Sequence, residues 1–163
     1  MWHDGSPIHL QATHPETLST LSDVCRLLFQ KEQYAEAESL YRELVEGQRQ
    51  TLGSGSVTVL LSMCNLGLCL ARLGDLNESG ELISQALAAM RNQGDEAISH
   101  VQAMVGTLAE LRQAQGRLIE AEALYSEAFI GRRKLLGERH PVTLRLCEAL
   151  AETRKHIDAS PKQ

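Results

Sequence analysis

The segment His14-Pro15-Glu-Thr-Leu returns as His140-Pro141-Val-Thr-Leu, an offset of 126 residues, three times 42. A fixed period constrains a fold more tightly than composition can, because each period must be one structural unit. Laid out in 42s, the chain gives blocks 14–55, 56–97 and 98–139 and a partial block 140–156, with no gap in any compared column. Val24, Leu66, Leu108 and Leu150 form one column, and the small residues Cys25, Gly67, Ala109 and Ala151 form the next. Glu36, Glu78 and Glu120 are identical, as are Leu40, Leu82 and Leu124. Ala37, Ser79 and Ala121 are all small; Tyr41, Ile83 and Tyr125 are all large. Leu28 and Leu70 agree, whereas Arg112 and Arg154 depart from them.

Each block reads as a helical hairpin. Val105, Leu108, Ala109 and Arg112 keep the i, i+3, i+4, i+7 spacing of one helix face, with the arginine as the poor member. Gly116, like Gly74 before it, ends the first helix, because glycine accepts a left-handed backbone just past a helix C-terminus. A second helix carries Leu118, Ala121, Leu124, Tyr125 and Ala128 and ends near Gly137, the counterpart of Gly53. In the middle block Gly94 falls one place early. Pro15 and Pro141 suit the first turn of a helix, where no N–H is missed, and Thr13 is a candidate cap. The small columns predict close approach of the two helices in each hairpin. One hairpin cannot bury its apolar face alone, so the hairpins must stack as a solenoid. The second block, with Gly80 and Ser79, is expected to be the weakest.

Composition narrows the function. Hydrophobic residues are 43%, which is too apolar for disorder, and aromatics only 4%, which favours helices packed through aliphatic and small side chains. The net charge of −5 argues against a nucleic-acid binder. That charge is uneven: 11 acids face 5 bases up to Leu82, and 10 face 11 from Ile83 onward. Arg132, Arg133, Lys134 and Arg139 make much of the difference, and two readings stand: cations complementing a helix C-terminus, or a site for phosphate or an acidic partner. Cys25, Cys64, Cys69 and Cys147 form no CxxC pair, and the register puts Cys25 and Cys147 at packing positions, so free thiols in a reducing compartment are expected. Neither a secretory signal nor a membrane-spanning stretch is present, and a cytoplasmic protein with no membrane partner is expected.

These columns resemble the tetratricopeptide repeat, above all in Leu108-Ala109-Glu110-Leu111 with Gly116-Arg117-Leu118-Ile119-Glu120-Ala121-Glu122-Ala123-Leu124-Tyr125, and in Tyr34-Ala35-Glu36-Ala37-Glu38-Ser39-Leu40-Tyr41. The 42-residue period and the segment Leu136-Gly137-Glu138-Arg139-His140-Pro141 are similar to the longer subtype of kinesin light chains and nephrocystin-type proteins. The resemblance covers about residues 14–156 and implies an all-α, right-handed superhelix of three hairpins and a closing helix. Residues 1–13 and 157–163 are expected to be disordered.

The resemblance also implies a function, protein–protein interaction as an adaptor or scaffold. In the family the first helices line a concave groove that holds a peptide or a partner helix. Transferred by register, the groove presents Ser22, Asp23, Arg26 and Phe29; then Leu61, Cys64, Asn65, Leu68 and Arg72; then Ala103, Gly106, Thr107, Glu110 and Gln113; then Arg145, Glu148 and Glu152. Asn65 matches an asparagine that often holds a peptide backbone, since an amide donates and accepts at once. The carboxylate clamp of chaperone-binding relatives falls on Ser22, Arg26, Asn65, Ala103 and Thr107, of which only Asn65 and Arg26 are usable, so a chaperone tail is not expected. Leu61, Leu68 and Phe29 suit an apolar or amphipathic segment, or are simply a partly packed helix surface; both readings stand. The chain shows no HExxH, GxSxG or phosphate-binding glycine motif, and its repeated glutamates read as a fold requirement, so no catalytic residue, metal or cofactor is expected. The alternative role is structural, self-assembly through open solenoid ends to give a homo-oligomer.

Overall fold

The structure is a computed structural model and describes residues 14–159. Among these it contains seven α-helices and no strand: α1 Pro15–Gln30, α2 Tyr34–Leu52, α3 Val57–Leu73, α4 Leu76–Arg91, α5 Ile98–Ala114, α6 Leu118–Leu136 and α7 Pro141–Ala159, with a 3-10 turn at Asp95–Ala97. The described chain divides into two compact units between Leu82 and Ile83, inside α4.

In the N-terminal unit α1 packs on α2 and α2 on α3. Leu18, Cys25, Ala37, Tyr41, Leu44, Leu66, Cys69 and Leu70 form its core. The small columns meet as close packing requires: Cys25, Ala37 and Ser79 are fully buried. The Ser79 hydroxyl donates to the Gly67 carbonyl at 2.7 Å, so serine in place of alanine is satisfied across the α3–α4 contact. In the C-terminal unit α5 packs on α6 and α6 on α7. Ala109, Ala121, Tyr125 and Leu150 form a cluster there, with Leu124, Leu146 and Ala149 against it. Arg112, the poor member of its column, is carried by polar partners: its guanidinium donates to Gln115 and Ser84 and lies 3.4 Å from Glu120.

The hairpin turns repeat one geometry. Gln33, Asp75 and Arg117 each donate their N–H to the carbonyl five residues back, at 2.8–2.9 Å, closing the first helix with the wrapped turn of a Schellman motif. The residue that turns the chain is left-handed each time, but it is Gly74 and Gly116 in two blocks and Glu32 (φ 61°) in the first. α2 and α6 end on Gly53 and Gly137, and Gly94 follows the end of α4 by three residues; all three sit at φ 80–89° with ψ near ±150–166°, a region open almost only to glycine. The early Gly94 matches a shorter helix: α4 has 16 residues where α2 and α6 have 19.

Several expectations are corrected. The closing helix runs through Ala159, so residues 157–159 are helical and not part of a disordered tail. The expectations for residues 1–13, Thr13 as a cap among them, lie outside the described residues. The helix cap is His14, whose equivalent His140 accepts the Val142 N–H on Nδ1 at 3.2 Å. Cys147 and Ala151 are exposed rather than packed, because α7 has no second helix of its own among the described residues. At the other end Val24 is 39% exposed where its column-mate Leu66 is 3%, because α2 covers α3 and no described element covers that face of α1.

Candidate functional site

Each unit contains a cavity walled by a first helix, the second helix that follows it and the next first helix. In the N-terminal unit it measures about 350 Å³ and is lined by Leu18, Ser19, Ser22 and Asp23 of α1, Gln48, Thr51 and Leu52 of α2, and Thr58 of α3, with Pro15 at its edge. In the C-terminal unit it measures about 260 Å³ and is lined by Gln102, Ala103, Gly106, Thr107 and Glu110 of α5, Tyr125 and Arg132 of α6, and Val142, Arg145, Leu146 and Ala149 of α7. Subtracting twice 42 from Gln102, Ala103, Gly106, Thr107, Arg132 and Val142 gives Leu18, Ser19, Ser22, Asp23, Gln48 and Thr58. The repeat thus makes one cavity and the sequence furnishes it twice.

The furnishing differs. Leu18 is buried in the first cavity, and Gln102 takes that column in the second, its amide lying over Gly131, where a Cβ would fall 1.9 Å from Gln102 Oε1. The Oε1 atoms of Gln48 and Gln102 are both buried without a hydrogen-bond partner among the described residues, and that of Gln102 packs over Gly131, which is not on the cavity wall. Tyr125 donates its hydroxyl to Gln113 Oε1 at 2.7 Å. Burial first, then the Glu110 and Glu152 carboxylates, pushes its phenol up to about 12, which keeps it a neutral donor. In the first cavity the one acid, Asp23, is paired with Arg26 at 2.7 Å.

The residues expected in the groove distribute unevenly. Ser22 lines the first cavity, and Thr107 and Glu110, with Ala103, Gly106 and Arg145, line the second. Thr107 returns its hydroxyl to the Ala103 carbonyl at 3.2 Å. Arg26, Asn65 and Arg72 are exposed, and Leu61 and Leu68 are half-buried on α3. Phe29 is half-buried, edge-on to Tyr34 with centroids 5.2 Å apart. Cys64 is instead buried, and burial pushes its thiol up to about 11, so it offers a groove nothing reactive. Leu18 and Gln102 stand on first helices but outside the transferred groove columns, and Gln48 lies on a second helix, where no groove position was sought; Arg132 was singled out only as one of four clustered cations. The columns Gln48/Arg132 and Leu18/Gln102 held the signal, since in each the two residues differ in polarity or charge.

Among the described residues no helix is long and apolar enough to cross a membrane. The tetratricopeptide-repeat family matches in two stretches, residues 16–92 and 106–142, which cover the first two hairpins, the third from the middle of α5 onward and the start of α7. The chain belongs to the tetratricopeptide-repeat family. Among solved structures, this tetratricopeptide-repeat chain is similar to the nearly identical TPR-like repeats of a Podosopora anserina protein named as a kinesin light chain: 26% identity, TM-score 0.74, over 90% of this chain and 69% of that one. BtubC from P. vanneervenii shares the fold at 21% identity and a TM-score of 0.71, over 91% of this chain and 58% of that one. The Yersinia enterocolitica type III secretion chaperone SycD, solved with a peptide of the translocator YopD, shares it at 16% identity and a TM-score of 0.63, over 88% and 97%. No curated protein matches the tetratricopeptide-repeat chain in sequence.

Proposed function

We propose that this tetratricopeptide-repeat chain is an adaptor that binds a peptide or helical segment of a partner protein on the faces of its first helices. The observation that carries this reading is the cavity repeated in the two units, each lined by first-helix residues from matching columns of the repeat. A neighbour of the same fold, SycD, is solved with a peptide of its translocator, which supports a peptide ligand here. On α3, exposed Asn65 beside half-buried Leu61 and Leu68 offers an amide next to an apolar strip, as an amphipathic segment needs. The buried, protonated thiols of Cys25, Cys64 and Cys69 suit a cytoplasmic protein. The test is partner capture by the full chain and by a variant with Asn65→Ala and Leu68→Glu. Capture should fall at least about tenfold, ~1.4 kcal/mol, while helicity and melting temperature hold; undiminished capture would overturn the assignment.

A second reading, self-association through end faces, is favoured by Val24 and Leu27, 39% and 53% exposed on α1. Light scattering over a hundredfold concentration range should then show association that Leu27→Glu abolishes. A strict monomer at every concentration ends this reading.

A further inference from the structure

Charge pairing in the C-terminal unit leaves three arginines, Arg132, Arg139 and Arg145, without a carboxylate within 4.0 Å among the described residues, and only Arg132 and Arg145 line the cavity. Arg91, Arg112, Arg117, Arg133 and Arg154 each have a carboxylate within 4.0 Å, so their charge is already answered. Arg132 and Arg145 have none among the described residues, and both line the cavity of that unit, one from α6 and one from α7. Arg132 makes one long bond, to the Ser99 carbonyl at 3.4 Å, which leaves most of its five N–H donors free. The C-terminal position of Arg132 on α6 does not explain it, because Arg133 already serves that helix end from within a column of arginines, Arg49, Arg91 and Arg133. Its own column holds Gln48 in the first repeat, where the equivalent cavity carries no cation. Glu110 is the single acid on the cavity wall, against two cations.

We propose that this cavity is a subsite for a side-chain carboxylate, an aspartate or glutamate of the bound segment, held between the Arg132 and Arg145 guanidiniums. The proposal rests on the adaptor reading and names the ligand chemistry at one place in it. A planar guanidinium matches a carboxylate with two parallel N–H donors, and a partly enclosed cavity screens that pairing less than open solvent does. Thr107 on the same wall cannot substitute as a donor while its hydroxyl is returned to Ala103, so selection rests on the arginines.

The experiment uses the full chain, isotopically labelled, and N-acetyl-glutamate N-methylamide as the probe, followed by NMR at low ionic strength. The glutamate probe should shift the Arg132 and Arg145 side-chain signals together with the Gly106 and Thr107 amides. The isosteric N-acetyl-glutamine N-methylamide should bind about tenfold more weakly, since it lacks the charge that makes the hydrogen bonds strong. Arg132→Gln, which restores the first repeat's residue, should weaken the glutamate probe at least about fivefold, whereas Arg132→Lys should keep part of its affinity. Should Arg132→Gln disturb folding, Arg145→Gln, on an exposed helix surface, gives the same readout. Equal binding of the two probes overturns the proposal, as does indifference to both arginine changes. Preference for N-acetyl-lysine N-methylamide would also overturn it and assign the cavity to a cation through Glu110. Because the probe needs no partner, failure here leaves the Asn65–Leu68 capture result standing, and the reverse holds too.

Discussion

Glu32 shows what the repeat asks of a single residue. It occupies the left-handed turn that Gly74 and Gly116 occupy in the other blocks, with φ at 61°, and bears the cost of a Cβ there. Glu32→Gly should therefore stabilise the chain, by roughly 0.5–1 kcal/mol in urea denaturation. Gly137 is the opposite case: nothing lies within 4 Å of an added Cβ, so the Gly137→Ala penalty is purely conformational. It should destabilise by about 1–3 kcal/mol, read by the same titration. The glycines were legible from punctuation alone, whereas Glu32 was not, because only its column position marks it as a turn. Arg112 was legible as an anomaly and explained only by its partners Gln115, Ser84 and Glu120.

At the scale of elements, the same column does different work according to what lies outside it. Leu66 is buried under α2, and its column-mate Val24 on α1 is not. Leu66→Glu should place an unpaired charge in the core of the N-terminal unit and cost at least about 3 kcal/mol, whereas Val24→Glu should stay within ~0.5 kcal/mol. Thermal melts of the two variants check the contrast. The C-terminal helix gives a chemical version of it. Cys147 is exposed on α7, while Cys25, Cys64 and Cys69 are buried with thiols raised to about 11, mainly by burial. A thiol reagent at neutral pH should modify Cys147 alone, and the other three only after denaturant is added.

Across the whole molecule, alkaline pH is where these buried groups act together. Burial, chiefly, raises the Cys25, Cys64 and Cys69 thiols from 9.0 to about 11 and the Tyr41 and Tyr125 phenols from 10.0 to about 12. Between each unfolded and folded value the native state holds a proton that the unfolded chain has lost. Stability is therefore full below pH 9 and falls as pH rises towards 12. The melting temperature should be flat from pH 7 to about 8.5 and drop beyond 9, less steeply in Cys64→Ala.

What the sequence determined by itself was the period, and with it the hairpin units, their glycine stops and the family, because a gap-free column is a constraint on local backbone and on pairwise fit that survives without coordinates. Tertiary structure alone decided which column members are covered. It exposed Val24, Cys147 and Ala151, whose burial depends on a neighbour that the column cannot see. It also brought Arg132 of α6 and Arg145 of α7 to the wall of one cavity. A cavity belongs to three helices at once, and its charge follows from which arginines have already found an acid. That accounting is settled by packing in space, beyond the reach of spacing along the chain.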